Sequence, residues 1–364
     1  MTSPDTLTEL GYYALSRHPV RPSELVDEAR HAETIGLGTA FVSERFNVKD
    51  AAVLSGALAA ATTRLGIATA ATNHTTRHPI VTATMGATLA ELSDHRFALG
   101  LGRGITAQWQ ILGLPVITGA GIEDMISILR RLWNGEMIIG HDGPAGTYPL
   151  LTLGISVTPP PPVMVVTMSP KTLELAGRIA DGVVLHTFLD AEATRTAVAR
   201  VRDSAQRAGR DPASVRIWSV LATVPDHLEE TDRTRRLYGR LATYLQGYPD
   251  VLMAANRWST NDLERIRSTS AFSGARGPLD ATATATELDE LAAAIPAGWV
   301  ADCATGTADE CARAVAAQFD LGVDSVILHG VAPTEVTEIV GTYRHLRSPQ
   351  TAALPVNPGR VVPA

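Results

Sequence analysis

The chain alternates short apolar runs with longer segments in which apolar residues recur at helical spacing. The short runs predict buried β-strands, and the longer segments predict helices with one apolar face. In the first third of the chain, strands are predicted at residues 7–14, 39–43, 65–72 and 96–101. Helices are predicted to follow the first three strands, beginning at Pro22, at Asp50 and at Pro79. This alternation is typical of parallel βαβ units.

The same pattern resumes after a proline run at residues 159–162. Further strands are predicted at residues 163–168, 182–186, 215–224 and 324–329, and further helices at residues 123–133, 170–180, 191–208 and 308–321. Thr307 and Glu310 have the spacing of a capping box at the start of the last of these helices. About eight strands result, which is the number that closes a parallel sheet into a (β/α)8 TIM barrel. The predicted fold class is therefore α/β.

Three segments lie outside this pattern. Residues 225–300 are mostly helical in pattern and predict an insertion before the last strand, on the side of the barrel where the substrate pocket lies. Residues 134–153 are rich in glycine and proline and are predicted to be irregular. The sequence thus predicts one barrel domain over residues 1–347 and a Pro-rich C-terminal tail, residues 348–364, that extends along the surface.

Composition narrows the class of protein. The chain has 364 residues, of which 45% are apolar and 19% charged, so a large core is available. A net charge of −7 without a basic run argues against nucleic acid or an anionic membrane as partner. Neither a signal peptide nor a membrane span is visible, which makes the cytoplasm the expected location. Two cysteines form neither a disulfide framework nor a zinc pattern, and no metal is expected.

Candidate chemistry is expected where the strands end, because barrel enzymes place their active sites there. The third strand ends in the polar cluster TNHTTRH, and the same cluster is compatible with an ordinary βα loop that caps the helix at Pro79. His186, Trp218 and His329 are assigned to other strand ends and are expected to line a substrate pocket. A lone histidine at a strand end is, in the alternative, a structural group.

Three further stretches suggest specific roles. Glu44 and Arg45 suit a general base and an anion clamp, although neighbouring strand residues face opposite ways, so only one needs to reach the pocket. The run GLGRG lacks the dinucleotide spacing, and its glycines are interpreted as allowing a flat ligand to approach the backbone near Arg103. The stretch TMSPKT precedes a helix, where Ser169 and Lys171 suit an anion site.

Four motifs together resemble the bacterial luciferase-like superfamily, and within it the oxidoreductases that use the deazaflavin coenzyme F420. They are SERFN after the second strand, TNHTTRHP after the third, ELSDHRFALGLGRG across the fourth, and SPKTLELAGRIADGVVL over the fifth and sixth. The resemblance covers residues 7–190 and 305–330. It implies a (β/α)8 barrel with an insertion and hydride transfer between the deazaflavin C5 and a small organic substrate. The expected partners are that small molecule and a second copy of the chain in a homodimer.

The resemblance also assigns residues. It implies a non-prolyl cis peptide within residues 69–72, at Ala70 and Ala71, forming a platform under the ring. The remaining cofactor contacts that it implies are Thr72 and Asn73 beside the ring and Thr167, Met168, Ser169 and Lys171 around the phosphate.

One departure from the related dehydrogenases bears on the chemistry. They commonly show an acid followed by a proton-transferring His after the second strand, whereas this chain has Arg45 after Glu44. Because Arg stays protonated, it cannot exchange protons as His does. The proton is then expected from Glu44, Tyr13 or water, and reduction of an activated double bond or imine becomes comparable with alcohol oxidation. Two alternatives remain: an FMN-dependent monooxygenase, and a barrel that binds a deazaflavin or flavin without turnover.

Overall fold

A computed structural model describes residues 6–349, 351 and 354–362, and within them a closed parallel barrel. The strands, in chain order, are β1 (Leu7–Tyr13), β2 (Leu37–Val42), β3 (Gly66–Thr69), β4 (Phe97–Gly102), β5 (Ile138–Gly143), β6 (Gly146–Leu151), β7 (Val163–Val166), β8 (Gly182–Val184), β9 (Arg216–Pro225), β10 (Ala304–Gly306) and β11 (Ser325–His329). The barrel order is β1, β2, β3, β4, β7, β8, β9 and β11, and β11 pairs with β1 to close it. The predicted TIM barrel is confirmed.

Helices cover the outside of the barrel and form the insertion. They are α1 (Leu25–Ile35), α2 (Ala51–Ala61), α3 (Pro79–Leu92), α4 (Thr106–Ile111), α5 (Gly119–Trp133), α6 (Pro170–Ile179), α7 (Ala191–Arg207), α8 (Glu230–Thr234), α9 (Arg240–Gly247), α10 (Pro249–Asn256), α11 (Thr260–Arg267), α12 (Ser270–Ser273), α13 (Leu279–Thr282), α14 (Ala285–Ala294), α15 (Ala308–Phe319) and α16 (Thr337–Leu346). No helix in the described ranges is both long and apolar enough to cross a membrane.

Local sequence explains where these helices begin and end. The Asp50 carboxylate accepts a hydrogen bond from the Val53 N–H at the start of α2, and Pro79 occupies the first turn of α3. Thr307 and Glu310 form the predicted capping box of α15. Gly36 ends α1 with a φ of 85°, a left-handed conformation that glycine adopts without a steric penalty.

Two strand predictions need correction. β3 ends at Thr69 rather than at Thr72, because the chain leaves the regular ladder there and Thr72 rejoins Leu101 only as an isolated bridge. The segment predicted to be irregular forms the antiparallel hairpin β5–β6, in which Gly143 pairs with Gly146. Glycine and proline are common to loops and to hairpin turns, and here Pro144 lies in the turn between Gly143 and Gly146.

The C-terminal tail plugs the end of the barrel opposite the strand carboxyl ends. Asn357, Pro358 and Gly359 are buried, and the Asn357 amide donates to the carbonyls of His95 and Phe97 at 2.7 and 2.9 Å. The prediction that the tail extends along the surface is therefore wrong for this part of it. A short segment without periodic apolar residues carries no burial signal in the sequence.

Arg216 and Trp218 anchor this plug from inside the barrel. The fully buried Arg216 guanidinium donates to the carbonyls of Pro355, Asn357 and Arg360 and lies 4.6 Å from the Trp218 ring centroid. The Trp218 indole N–H donates to the Pro358 carbonyl at 2.8 Å. Trp218 has no exposed surface, so the expectation that it lines the substrate pocket is wrong. It is the third residue of a ten-residue strand and lies too far from the carboxyl end.

The insertion has an apolar core of its own beside the barrel. Leu241, Leu245, Leu252, Leu288 and Leu291 are among its buried members. Between α8 and α9, residues Arg235–Gly239 form a π-helical turn. The helical insertion predicted at residues 225–300 thus folds over the carboxyl ends of the strands, where α9 brings polar side chains against the barrel.

Candidate active site

Five aromatic side chains meet at the carboxyl ends of β1, β8 and β11. Tyr13 ends β1, His329 ends β11, and His186 lies two residues beyond β8. Tyr244 and Tyr248 reach the same place from the insertion. Ring centroids lie 5.2 Å apart for Tyr13 and His329, and 4.7 Å apart for His186 and Tyr244. The predicted pocket residues His186 and His329 are therefore brought together with Tyr13, and Trp218 is not.

Hydrogen bonds fix the tautomer of His186. Its Nδ1 lies 2.8 Å from the Thr187 carbonyl oxygen, which only accepts, so Nδ1 carries the hydrogen. Its Nε2 is then an acceptor and receives the Tyr248 hydroxyl at 2.8 Å. Burial lowers the pKa of His186 to about 4, so the imidazole is neutral at neutral pH.

His329 is also held neutral, by a different partner. Its Nε2 lies 3.2 Å from Nη1 of Arg240, which only donates, so Nε2 is the acceptor. Burial, and then the Arg240 charge, hold the pKa of His329 well below its usual range. Arg240 in turn lies 3.4 Å from the Asp280 carboxylate and donates to the Ser16 carbonyl at 3.3 Å. These hydrogen bonds of Arg240 connect the insertion to β11 and to the loop after β1.

The partly buried, neutral imidazole of His186 predicts a loss of stability in acid. Between pH 6.5 and about 4 the unfolded chain binds a proton that the folded chain excludes, so the free energy of unfolding falls as the pH is lowered through this window. The contribution of His186 is about 3 kcal/mol over the whole window. Urea unfolding at several pH values measures it. His186→Asn should flatten the slope, whereas His227→Asn, at an exposed position, should leave it unchanged.

Glu44 is enclosed by hydrogen-bond donors. Its carboxylate forms a two-pronged ion pair with Arg77 at 2.5 and 2.9 Å and accepts from the Thr72 hydroxyl at 2.7 Å and the Asn73 amide at 3.2 Å. The Glu44 side chain is only 5% exposed. This geometry gives Glu44 a role in holding the loop after β3. Its predicted role as a proton donor remains a prediction.

The loop after β3 is therefore built from its own polar residues. The Asn73 side-chain oxygen accepts from the N–H groups of Thr75 and Thr76 at 3.0 and 2.9 Å. The peptide bond between Ala70 and Ala71 is cis, at the position that the family resemblance implies. Both alanines lie directly before the enclosed Thr72 and Asn73, and they place small side chains at the mouth of the barrel.

The glycines of β4 make room for the neighbouring strand rather than for the flat ligand expected from the sequence. A Cβ on Gly100 would lie 1.9 Å from the Thr69 carbonyl oxygen, and one on Gly102 would lie 2.7 Å from the Ala71 Cβ. The neighbouring strand end, rather than a ligand, occupies this space. Arg103 follows in an exposed position and donates from Nε to the Ile117 carbonyl at 3.1 Å, so the structure engages it with the segment before α5.

Arg45 is exposed at the same end of the barrel and forms no ion pair within the described residues. Its charge nevertheless acts on the pKa values of His329, Tyr244 and Tyr248, which places its guanidinium near the aromatic cluster. Burial raises the pKa of Tyr13 above its usual range, so its hydroxyl stays protonated. An unpaired cation beside neutral hydroxyl and imidazole groups suits a ligand that carries an anionic group.

The N-terminus of α6 supplies a second polar patch. Ser169 is the residue before the helix, and its hydroxyl donates to the Thr172 hydroxyl at 2.9 Å instead of capping the helix. The Thr167 hydroxyl accepts from the Ser169 N–H at 3.1 Å. Lys171 is exposed and pairs with no described residue, and Met168 packs against the insertion core. A helix N-terminus with a free lysine suits an anion such as phosphate.

The residues that complete the site are not predictable from the sequence pattern. All four come from the insertion, where the sequence pattern predicts helices but not their contacts: Tyr244, Tyr248, Arg240 and Asp280. Arg77 stands inside the polar cluster TNHTTRH, and its partner Glu44 is 33 positions away. The only sequence signal for this ion pair is that one acidic and one basic residue occur in two segments predicted to follow strand ends.

The family model described as luciferase-like monooxygenase matches residues 8–325. A 5,10-methylenetetrahydromethanopterin reductase of Methanolobus tindarius is 29% identical over 191 residues, 51% of this chain and 57% of that relative. An F420-dependent glucose-6-phosphate dehydrogenase of Beutenbergia cavernae is 29% identical over 252 residues, 65% of this chain and 74% of that relative. The match thus spans little more than half the length of the Methanolobus protein.

A solved structure shares the architecture over nearly the whole chain. It is that of a coenzyme F420 dependent tetrahydromethanopterin reductase from Methanopyrus kandleri, with a TM-score of 0.77 and 19% sequence identity. The superposition covers 93% of this chain and 99% of that one. At this level of identity the likeness shows the barrel fold alone.

Proposed function

The chain belongs to the luciferase-like monooxygenase family, and on that basis we propose that it is an F420-dependent oxidoreductase. It transfers a hydride between C5 of the deazaflavin and a small organic substrate. Relatives whose names include F420 support the cofactor. The observation that carries the proposal is the pairing, at one end of the barrel, of a small-residue strand end at Ala70 with an uncapped helix N-terminus at Ser169.

The described residues fit such a cofactor. Ala70 and Ala71 place no large side chain in the way of a flat ring, and the hydrogen bonds of Thr72 and Asn73 to Glu44 hold that strand end in place. Ser169 and Lys171 suit the phosphate. When bound, the deazaflavin accepts or supplies the hydride. The chain itself then has to orient the substrate, exclude water and handle the accompanying proton.

Arg45 is proposed to bind an anionic group of the substrate or cofactor. Its charge acts on the pKa of His329 and it has no ion-pair partner among the described residues, whereas Arg240 is balanced by Asp280. Tyr13 keeps its hydroxyl proton, because burial raises its pKa, and is proposed to donate a hydrogen bond to the substrate. The substrate-facing wall is thus mostly neutral, with one exposed cation.

Turnover tests the proposal directly. The purified protein is mixed with oxidised F420 and a panel of alcohols, and separately with reduced F420 and a panel of enones and imines, while the visible absorbance of the deazaflavin is followed. A substrate-dependent absorbance change supports the proposal. Substrate oxygenation with reduced FMN and dioxygen would instead support the monooxygenase alternative. F420 binding without any turnover would support the non-catalytic alternative.

Replacement of Lys171 by alanine should weaken F420 binding. Loss of one charged hydrogen bond to a phosphate at an exposed helix start is expected to raise the Kd about tenfold. Fluorescence titration with F420 measures this change. Arg207→Ala removes one exposed positive charge from the far end of α7 and is the matched control, with an expected Kd equal to that of the parent. Equal effects of the two substitutions would contradict a phosphate site at α6.

A further inference from the structure

We propose that Tyr248 and His186 form a proton relay that removes the hydroxyl proton of an alcohol substrate. The inference rests on the proposed function and deepens it, since it names the group that receives the proton and the class of substrate. The juxtaposition that supports it is a tyrosine hydroxyl 2.8 Å from a histidine nitrogen at the carboxyl end of the barrel.

The direction of the hydrogen bonds makes this pair an acceptor. Because Nδ1 of His186 donates to the Thr187 carbonyl, Nε2 has a lone pair and the Tyr248 hydroxyl must donate to it. The lone pairs of the Tyr248 oxygen are therefore left for a donor. A substrate hydroxyl is such a donor, and a carbonyl oxygen is not. The resting geometry thus matches the alcohol form of the substrate.

The relay is held rigidly. Tyr248 lies at the junction between α9 and α10, where its N–H donates to the Tyr244 carbonyl at 3.0 Å. Its ring stacks on that of Tyr244 at 5.7 Å, and the Tyr244 ring meets His186 edge-on. The Thr187 carbonyl orients the imidazole from the other side. Both partners are thereby fixed before a substrate arrives.

Other groups at this end of the barrel are less suited to accept the proton. The Glu44 carboxylate is neutralised by Arg77 and surrounded by donors. The Nε2 of His329 faces Arg240. Arg45 is a permanent cation. Among the described residues of this cluster, the Tyr248–His186 pair combines an acceptor oxygen with an unprotonated nitrogen behind it.

The proposed step balances as follows. The carbinol C–H bond breaks and its hydrogen leaves with the electron pair as hydride, which reduces the deazaflavin, while the carbinol carbon becomes a carbonyl carbon. The substrate O–H proton moves to the Tyr248 oxygen, and the Tyr248 proton moves to Nε2 of His186. The resulting imidazolium keeps its Nδ1–H bond to the Thr187 carbonyl and later loses its proton to solvent. In the reverse direction the same path protonates the alkoxide.

Steady-state kinetics with oxidised F420 and either isopropanol or cyclohexanol test the relay. Tyr248→Phe should lower kcat about 10²- to 10⁴-fold with little change in KM or in the Kd of F420. His186→Gln should lower kcat similarly, and the double variant should be no worse than either single variant, because the two residues act as one unit. Tyr238→Phe is the control: the same change in the same insertion, at a hydroxyl without a described partner.

A second readout needs no cofactor. Nitrogen-15 NMR of the unliganded protein should show His186 as the neutral Nδ1–H tautomer, with an Nε2 signal that moves downfield in Tyr248→Phe as its hydrogen bond is lost. The opposite tautomer overturns the relay.

The kinetics can overturn it as well: if the decreases in kcat of the two single variants multiply in the double variant, the two residues do not act as one unit. If F420 binds but neither alcohol is oxidised, the substrate class is wrong, whereas failure of F420 to bind refutes the proposed function itself.

Discussion

Arg216→Met is expected to lower the free energy of unfolding by at least about 3 kcal/mol, since each buried carbonyl left without a donor costs about 1–3 kcal/mol. The substitution removes the common donor to the Pro355, Asn357 and Arg360 carbonyls. It also removes the hydrogen bond to the Ser325 hydroxyl at 3.0 Å, inside the barrel. The tail should then leave the barrel end that it plugs.

Chemical denaturation measures the loss, and limited proteolysis should show earlier cleavage after residue 349. Arg207→Met, on the exposed last turn of α7, is the matched control and is expected to change stability by less than about 0.5 kcal/mol. Arg216→Lys keeps the charge without the fork of donors and should fall between the two. A tail that stays protected in Arg216→Met would contradict the anchoring role.

Arg77→Met is expected to destabilise the fold by about 3–5 kcal/mol and to weaken F420 binding, because it leaves the Glu44 carboxylate buried without its cation. It also breaks the 2.7 Å ion pair between Arg77 and Asp50. The loop after β3, which contains Thr72 and Asn73, then loses the ion pair that holds it. Urea unfolding and F420 titration measure the two effects on the same variant.

The chain offers a control of the same chemistry. Arg131 and Glu136 form a similar two-pronged pair at 2.9 and 2.5 Å, but both side chains are well exposed. Arg131→Met should therefore cost less than about 1 kcal/mol. Glu44→Gln combined with Arg77→Met removes the stranded charge and should recover part of the loss. Equal costs for Arg77→Met and Arg131→Met would contradict a buried role for Arg77.

The barrel was predictable because its signals are local. A fully buried parallel strand must be apolar along its length, and Asp50, Pro79 and Thr307 mark helix starts through contacts within one turn. The hairpin β5–β6 is not predictable in the same way, because its glycine and proline residues are equally typical of an irregular loop. Trp218 lies near the amino end of both the predicted strand, residues 215–224, and the observed β9, so the strand bounds themselves argue against a place for it at the carboxyl end.

The site was predictable only in part. Tyr13, His186 and His329 follow from the rule that barrel sites lie at strand ends, and the structure places them together. Tyr248 and Arg240 come from an insertion whose docking is decided by tertiary packing, so no spacing in the sequence points to them. The ion pair of Glu44 with Arg77 joins two loops, and it changes Glu44 from a candidate base into a group that organises its neighbours.

The most direct test of the proposed cofactor is an equilibrium competition between F420 and FMN for the purified protein. Fluorescence titration gives the Kd of each, and Lys171→Ala shows whether binding uses the N-terminus of α6. We expect saturable F420 binding at least about tenfold tighter than FMN, a difference of about 1.4 kcal/mol. Tighter binding of FMN would contradict the deazaflavin assignment and favour the monooxygenase alternative.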